Sequence, residues 1–273
     1  MRDAVADLLA DARGIREGLL QPAPGPDSAA EHELTVAGVS SRAVERLIAC
    51  VDLWTLVAGD QLYGLSLLVR DGQTVFSLFP LLRSVLEHAT WVIWALDDTA
   101  TPRLRAARAS LAALRSAEAL NKAASGMGGR GSTTQEATKA RFTQLREEVQ
   151  AEFGSLQLEP LQLEDERLAG PTEVIAHFGE RWGNPREWIG IYDYLCATAT
   201  HPSLSPYEYF DPTNADSAGA EVSADLLSRL LRAALVPYLK SLEALAAYMG
   251  WPTEPLDAYI DRANAVLGTV LGP

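Results

Sequence analysis

The stretch "LLRSVLEHATWVIWALDD", residues 81–98, sets three side chains capable of chemistry inside the most apolar part of the chain. Arg83 is a permanent cation, Glu87 a carboxylate, and His88 an imidazole. Arg83 and Glu87 are spaced to pair along one helix face. On a helical wheel, Glu87 lies about 40° and His88 about 140° from Arg83. Trp91 and Trp94 share this sector, while Leu82, Val85, Leu86, Ala89 and Ile93 fill the opposite side. The sector reads as a partly buried polar network with two tryptophans as apolar walls. The plainer alternative is an amphipathic helix with an Arg83–Glu87 pair on its wet face, in the less favourable order.

Two other segments offer partners. "RLRAARASLAALRSAE" (103–118) interleaves arginines with apolar residues. A buried carboxylate needs a cation, so Arg105 or Arg108 is expected to reach Glu87. "YDYLCATATHPS" (192–203) places Tyr194 and His201 on one helix face. Pro202 disfavours helical backbone at His201, which therefore marks a helix C-terminus. Gly190 and Ala197 lie on the same side and would permit close helix approach. The candidate binding cluster is Arg83, Glu87, Trp91, Trp94, Arg105, Arg108, Tyr194 and His201.

These segments resemble a loose group of uncharacterised bacterial, actinobacterial-type all-helical proteins. The shared pattern is an R-x3-E helix with a tryptophan-rich continuation, an arginine-bearing next helix, and a late Tyr-x2-Leu segment ending in His. It matches Arg83, Glu87, Trp91, Trp94, Arg105 or Arg108, Tyr192 or Tyr194, and His201, across roughly residues 75–205. Cys196 stands where the group usually has Ser. The resemblance implies a helical fold similar to HEPN proteins and brings no established activity. HEPN ribonucleases use an Arg-x4-6-His pair, which Arg83 and His88 match formally. A chain with this many arginines gives about one such match by chance.

Other chemistries lack their residues. The paired Glu-x-x-His units of a diiron bundle are missing, and "EHELT" (31–35) lacks the second His of a zinc motif. "DDTAT" (97–101) lacks the third acid of a cyclase motif, and "GMGGRG" (126–131) does not join a strand to a helix. No metal and no cofactor is expected. Cys50 and Cys196 read as reduced, buried small hydrophobes.

Helical periodicity dominates the elements that must position these residues. Helices are expected over about 2–20, 35–70 (bent near Gly59), 73–97, 101–124, 134–153, 172–181, 184–200, 218–249 and 254–270. Thr101–Pro102 and Asn184–Pro185 read as helix starts, and Gly250 as a stop. Pro237 is expected to kink its helix. The charged helix over 134–153 looks largely solvated. Segments 21–33, 125–134, 155–171 and 201–217 read as flexible or irregular, although "LQLE" occurs twice in the third. The expected fold is all-α, a single-domain helical bundle of about eight helices with antiparallel neighbours.

Composition narrows the function. The chain has 273 residues, 48% of them hydrophobic and 22% charged, an ordinary globular balance. A net charge of −13 repels phosphate backbones and argues against nucleic acid. Asp3, Asp7 and Asp11 interrupt the N-terminus, so no signal peptide is expected. No uncharged apolar run is long enough for a membrane span. The expectation is a cytoplasmic binding or interaction protein whose polar cluster lines a small-molecule or partner pocket, with a homodimer or protein partner in view. The alternative is a HEPN-like RNA endonuclease built on Arg83 and His88.

Overall fold

A computed structural model of the protein describes residues 2–21, 23–35, 38–72, 77–128, 132–200 and 224–268. These residues are predominantly helical, with ten helices and three short strands among them. They fall into two compact units. One comprises Met1–Ser28, Asp52–Trp94 and Gly170–Pro273, and the other Ala29–Val51 and Ala95–Ala169.

The first unit holds α1 (Arg2–Leu19), the later part of α3 (Ser41–Asp71), α4 (Leu78–Ala95), α7 (Pro171–Trp182), α8 (Pro185–Thr200), α9 (Ala224–Met249) and α10 (Glu254–Leu267). Leu8, Leu9, Leu62, Leu82, Leu86, Phe178 and Tyr238 are fully buried in it. Two tyrosines tie α1 down through its backbone. Tyr238 Oη donates to the Ala12 carbonyl at 3.0 Å, and Tyr259 Oη to the Leu8 carbonyl at 2.8 Å. Gly250 ends α9 with φ +65°, and the Trp251 N–H returns to the Ala246 carbonyl at 2.9 Å. Gly25 packs backbone to backbone there, since a Cβ on it would stand 2.5 Å from the Gly250 carbonyl oxygen. The helix α9 continues through Pro237.

The second unit holds α2 (Ala29–Thr35), the start of α3, α5 (Pro102–Gly128), α6 (Thr133–Phe153) and the strands β1 (Leu156–Leu158), β2 (Leu161–Leu163) and β3 (Glu166–Arg167). Its core joins Ala43, Ala106, Leu111, Leu114, Val149, Phe153 and Leu163. The helix over 134–153, expected to be largely solvated, is exposed or half-buried over most of its length and buries Val149 and Phe153 against this core. Arg46 of α3 binds Glu152 of α6 at 2.8 Å and Ser110 of α5 at 2.9 Å.

Two local expectations are corrected here. Residues 155–171 are not an irregular loop, because the repeated "LQL" pairs with itself. Leu156 faces Leu163, Gln157 faces Gln162 and Leu158 faces Leu161, antiparallel across Glu159–Pro160. Each leucine–glutamine alternation puts leucines on one face, and Leu163 reaches the core. Residues 29–35, placed largely in a flexible segment, form α2. Its Glu33 is 2% exposed and binds Arg105 of α5, with Arg105 Nε 3.1 Å from Glu33 Oε1.

The helix starts agree with their caps. The Leu104 N–H donates to Thr101 Oγ1 at 3.2 Å, and the Arg186 N–H to Asn184 Oδ1 at 3.0 Å. No helix among the described residues is long and apolar enough to cross a membrane.

Candidate functional site

Arg83 and Glu87 lie one turn apart on α4, and Arg83 Nε donates to Glu87 Oε1 at 2.8 Å. Tyr192 of α8 completes a triangle. Its hydroxyl donates to the same Glu87 oxygen at 2.7 Å and accepts from Arg83 Nη2 at 3.4 Å. The guanidinium also stands 5.6 Å from the Tyr192 ring centre. The Arg83 and Glu87 side chains are 26% and 23% exposed, so the node is neither a dry core nor a wet face. Burial, the Glu87 hydrogen bond and the Cys196 thiol push the Tyr192 phenol above its ordinary pKa. Burial works against the charge on Arg83, but the bond and charge of Glu87 outweigh it and hold the guanidinium protonated more firmly.

The partner on α8 is Tyr192, not Tyr194. The two are about 200° apart around a helix, so only one can face Glu87. Tyr192 shares the buried side of α8 with Leu195. Tyr194 meets Phe79 edge-on, with ring centres 6.0 Å apart. His201 lies outside the described residues.

Arg105 and Arg108, expected to reach Glu87, have acidic partners in the second unit. Arg105 binds Glu33 and the Asp97 and Ala100 carbonyls, which fixes α2 to the start of α5. Arg108 donates to Glu166 of β3 at 2.8 Å and to Asp97 at 3.5 Å. The need of a buried carboxylate for a cation was the right rule, but Glu33, Asp97 and Glu166 invoke it as well as Glu87 does.

Trp91 and Trp94 form an aromatic cluster. Their rings meet edge to face at 5.1 Å, and Trp54 of α3 lies 5.8 Å from Trp91. His88 Nδ1 lies 2.7 Å from the Ser84 carbonyl. A carbonyl only accepts, so Nδ1 is the donor in this contact. Cys50 and Cys196 are both free thiols. Burial pushes the Cys50 thiol up to about 11, against the opposing charge of Arg46. Among the described residues, no cluster of three or more His, Cys, Asp or Glu side chains could hold a metal ion.

A cavity of about 980 Å³ opens in the first unit among α7, α8 and α9, and among the described members of the candidate cluster Tyr194 alone lines it. Arg181, Trp182 and Gly183 enter from the end of α7. Glu187, Trp188, Gly190, Ile191 and Tyr194 form a stripe along α8, at the three- and four-residue spacing of one helix face. Leu230, Ala233 and Val236 make an apolar floor on α9, and Arg229, Arg232 and Lys240 add charge. The tryptophans are braced from behind. Phe178 stacks on Trp182 at 5.1 Å and meets Trp188 edge-on at 4.7 Å.

Gly190, read as a site of close helix approach, has another role. A Cβ there would meet nothing within 4 Å among the described residues. The cationic lining escaped the sequence reading because Arg229 and Lys240 look like the ordinary wet face of an amphipathic helix. The usable signal was a pair of tryptophans, Trp182 and Trp188, bracketing the turn from α7 to α8.

The chain matches no protein-family model, no curated protein and no solved structure.

Proposed function

We propose that the protein binds a small molecule in the cavity among α7, α8 and α9. The observation that carries this reading is the combination of volume and walls. A space of about 980 Å³ is flanked by Trp182, Trp188 and Tyr194, over an apolar floor with a few charged groups. Ligand sites are typically concave, largely apolar and directed by a small number of polar groups. The Arg83–Glu87–Tyr192 node has a supporting part in this reading. It anchors α8 to α4, and α8 supplies one long wall of the cavity. The endonuclease alternative needs Arg83 on a phosphate, and that guanidinium is already engaged by Glu87 and Tyr192.

The test is thermal denaturation against a panel of neutral, cationic and anionic small molecules. A ligand present at about a hundred times its Kd stabilises by about 2.7 kcal/mol, which shifts the melting temperature measurably. At least one panel member should raise the melting temperature of the wild type. Gly190→Leu projects a side chain into the cavity and should remove that shift while melting no lower than the wild type. A panel with no active member, or a shift equal in Gly190→Leu, overturns the proposal.

A further inference from the structure

Residues 53–69 of α3 carry one charged side chain, Asp60, in a chain where 22% of residues are charged. The solvent-facing side of a helix is ordinarily its polar side. Here it is apolar. Six large hydrophobic side chains are exposed among the described residues, and three of them, Leu53, Tyr63 and Leu67, lie on this stretch, each 43–54% exposed. Half-buried Leu56 and Val57 fill the turns between them. On a helical wheel these five fall within about 120°.

Neighbouring helices of the first unit border the face. α4 flanks one side, where Trp91 lies 5.8 Å from Trp54 and a Cβ on Gly64 would stand 3.5 Å from Leu81 Cδ1. α1 flanks the other side through ion pairs. Arg16 binds Asp52, Arg13 binds Asp60 at 3.1 Å, and Arg70 binds Asp7 at 2.6 Å. These pairs set three cations against three carboxylates. An apolar centre that includes a tyrosine, with tryptophans beside it and a charged rim, is the anatomy of a protein interface.

The charges at the two ends of the face select its occupant. Asp52 and Arg70 are each about half exposed beside their own partners. They stand eighteen residues apart on α3, which is five turns, so they share one angle at opposite ends. A two-fold axis near residue 61 lays this helix antiparallel on the same helix of a second copy. Asp52 of each copy then lies beside Arg70 of the other, and Leu53 lies against Leu67. Parallel pairing would set Asp52 against Asp52. Two copies of a chain of net charge −13 repel one another, and a face with one charge in seventeen residues adds little to that repulsion. An anionic partner would find no surplus of cations on it.

We infer that this face of α3 is the interface of a homodimer, in which two copies pair antiparallel through Leu53, Leu56, Tyr63 and Leu67. The face shares no residue with the cavity among α7, α8 and α9, so the dimer and the binding role stand or fall separately. One helix face about 27 Å long is small for an interface, which places the dissociation constant at about 1–100 μM.

The experiment is sedimentation equilibrium of the full chain from about 1 to 300 μM, a range that brackets such a constant. The wild type should pass from the mass of one chain to the mass of two. Leu53→Asp combined with Leu67→Asp alters exposed side chains, should keep the wild-type circular dichroism, and should weaken association about tenfold or more. Arg70→Glu would face the second copy's Asp52 with another anion and should weaken association about fivefold, less at high salt. A mixture of Leu53→Cys and Leu67→Cys chains should form a disulfide between the two variants faster than either variant forms one with itself.

A wild type that remains a single chain throughout overturns the inference. So does a dimer indifferent to the two aspartates, because its interface then lies elsewhere. Should the aspartate variant lose its helical signal, Arg70→Glu and the cysteine pairing decide. Faster cross-linking of each cysteine variant with itself overturns the antiparallel arrangement.

Discussion

One oxygen of Glu87 accepts from both Arg83 and Tyr192, so its removal strands two donors on two helices. A fully buried ion pair broken in this way costs about 3–5 kcal/mol. Here the Arg83 and Glu87 side chains keep about a quarter of their exposure, and water can replace part of what is lost. Glu87→Ala should therefore cost about 1–2 kcal/mol and lower the melting temperature by about 4 °C. Tyr192→Phe removes one hydrogen bond and should cost about 1 kcal/mol. Because both bonds end on one oxygen, the double variant should lose less than the two single losses together. Melting curves for the three variants that superpose on the wild type would return the node to the status of a solvated helix face. The Arg83–Glu87 spacing was enough to anticipate this pair. The choice between Tyr192 and Tyr194 was not legible, because it depends on the rotation of α8 about its axis, which is set by packing.

At the scale of elements, what was legible was what is local. Thr101–Pro102 and Asn184–Pro185 start helices because a side-chain oxygen and a fixed φ act within one turn. The strands β1 and β2 escaped because each spans three residues, too few for an alternation to be recognised, although their shared "LQL" was in plain view. The helix α2 escaped for a different reason. Seven residues cannot sustain a helix alone, so it depends on a tertiary partner 72 residues away. That partner is Arg105, whose guanidinium binds Glu33 where both side chains are at most 10% exposed. Glu33→Ala leaves a buried cation and should cost about 3–5 kcal/mol. Hydrogen exchange at residues 29–35 should accelerate before exchange in the core of α5 does. Glu33→Gln keeps the volume and one acceptor, and should be the milder change. Equal protection of α2 in the wild type and Glu33→Ala would show that α2 is held by its apolar contacts instead.

At the scale of the first unit, three buried phenols set a limit on stability in alkali. Tyr192, Tyr238 and Tyr259 are each at most 5% exposed. Burial raises the pKa of all three above the ordinary tyrosine value, and each donates its proton to an oxygen that can only accept. Ionising Tyr238 or Tyr259 would set a phenolate against a backbone carbonyl of α1, and ionising Tyr192 would set one against the Glu87 carboxylate. The unfolded chain loses these protons at about pH 10, where the folded chain still holds them. The folded state then binds more protons than the unfolded state, so stability falls as pH rises. The contribution is complete below about pH 10 and is lost progressively above it, towards the raised folded values. Tyrosinate absorbance should follow the same order. Of the eight tyrosines, these three should ionise only together with loss of helical circular dichroism. Tyr238→Phe and Tyr259→Phe should each remove one late-titrating group and move the alkaline transition to higher pH, at the cost of one bond to α1. If all eight tyrosines titrate near pH 10 with the helical signal intact, these phenols do not clamp α1 and α8 in solution.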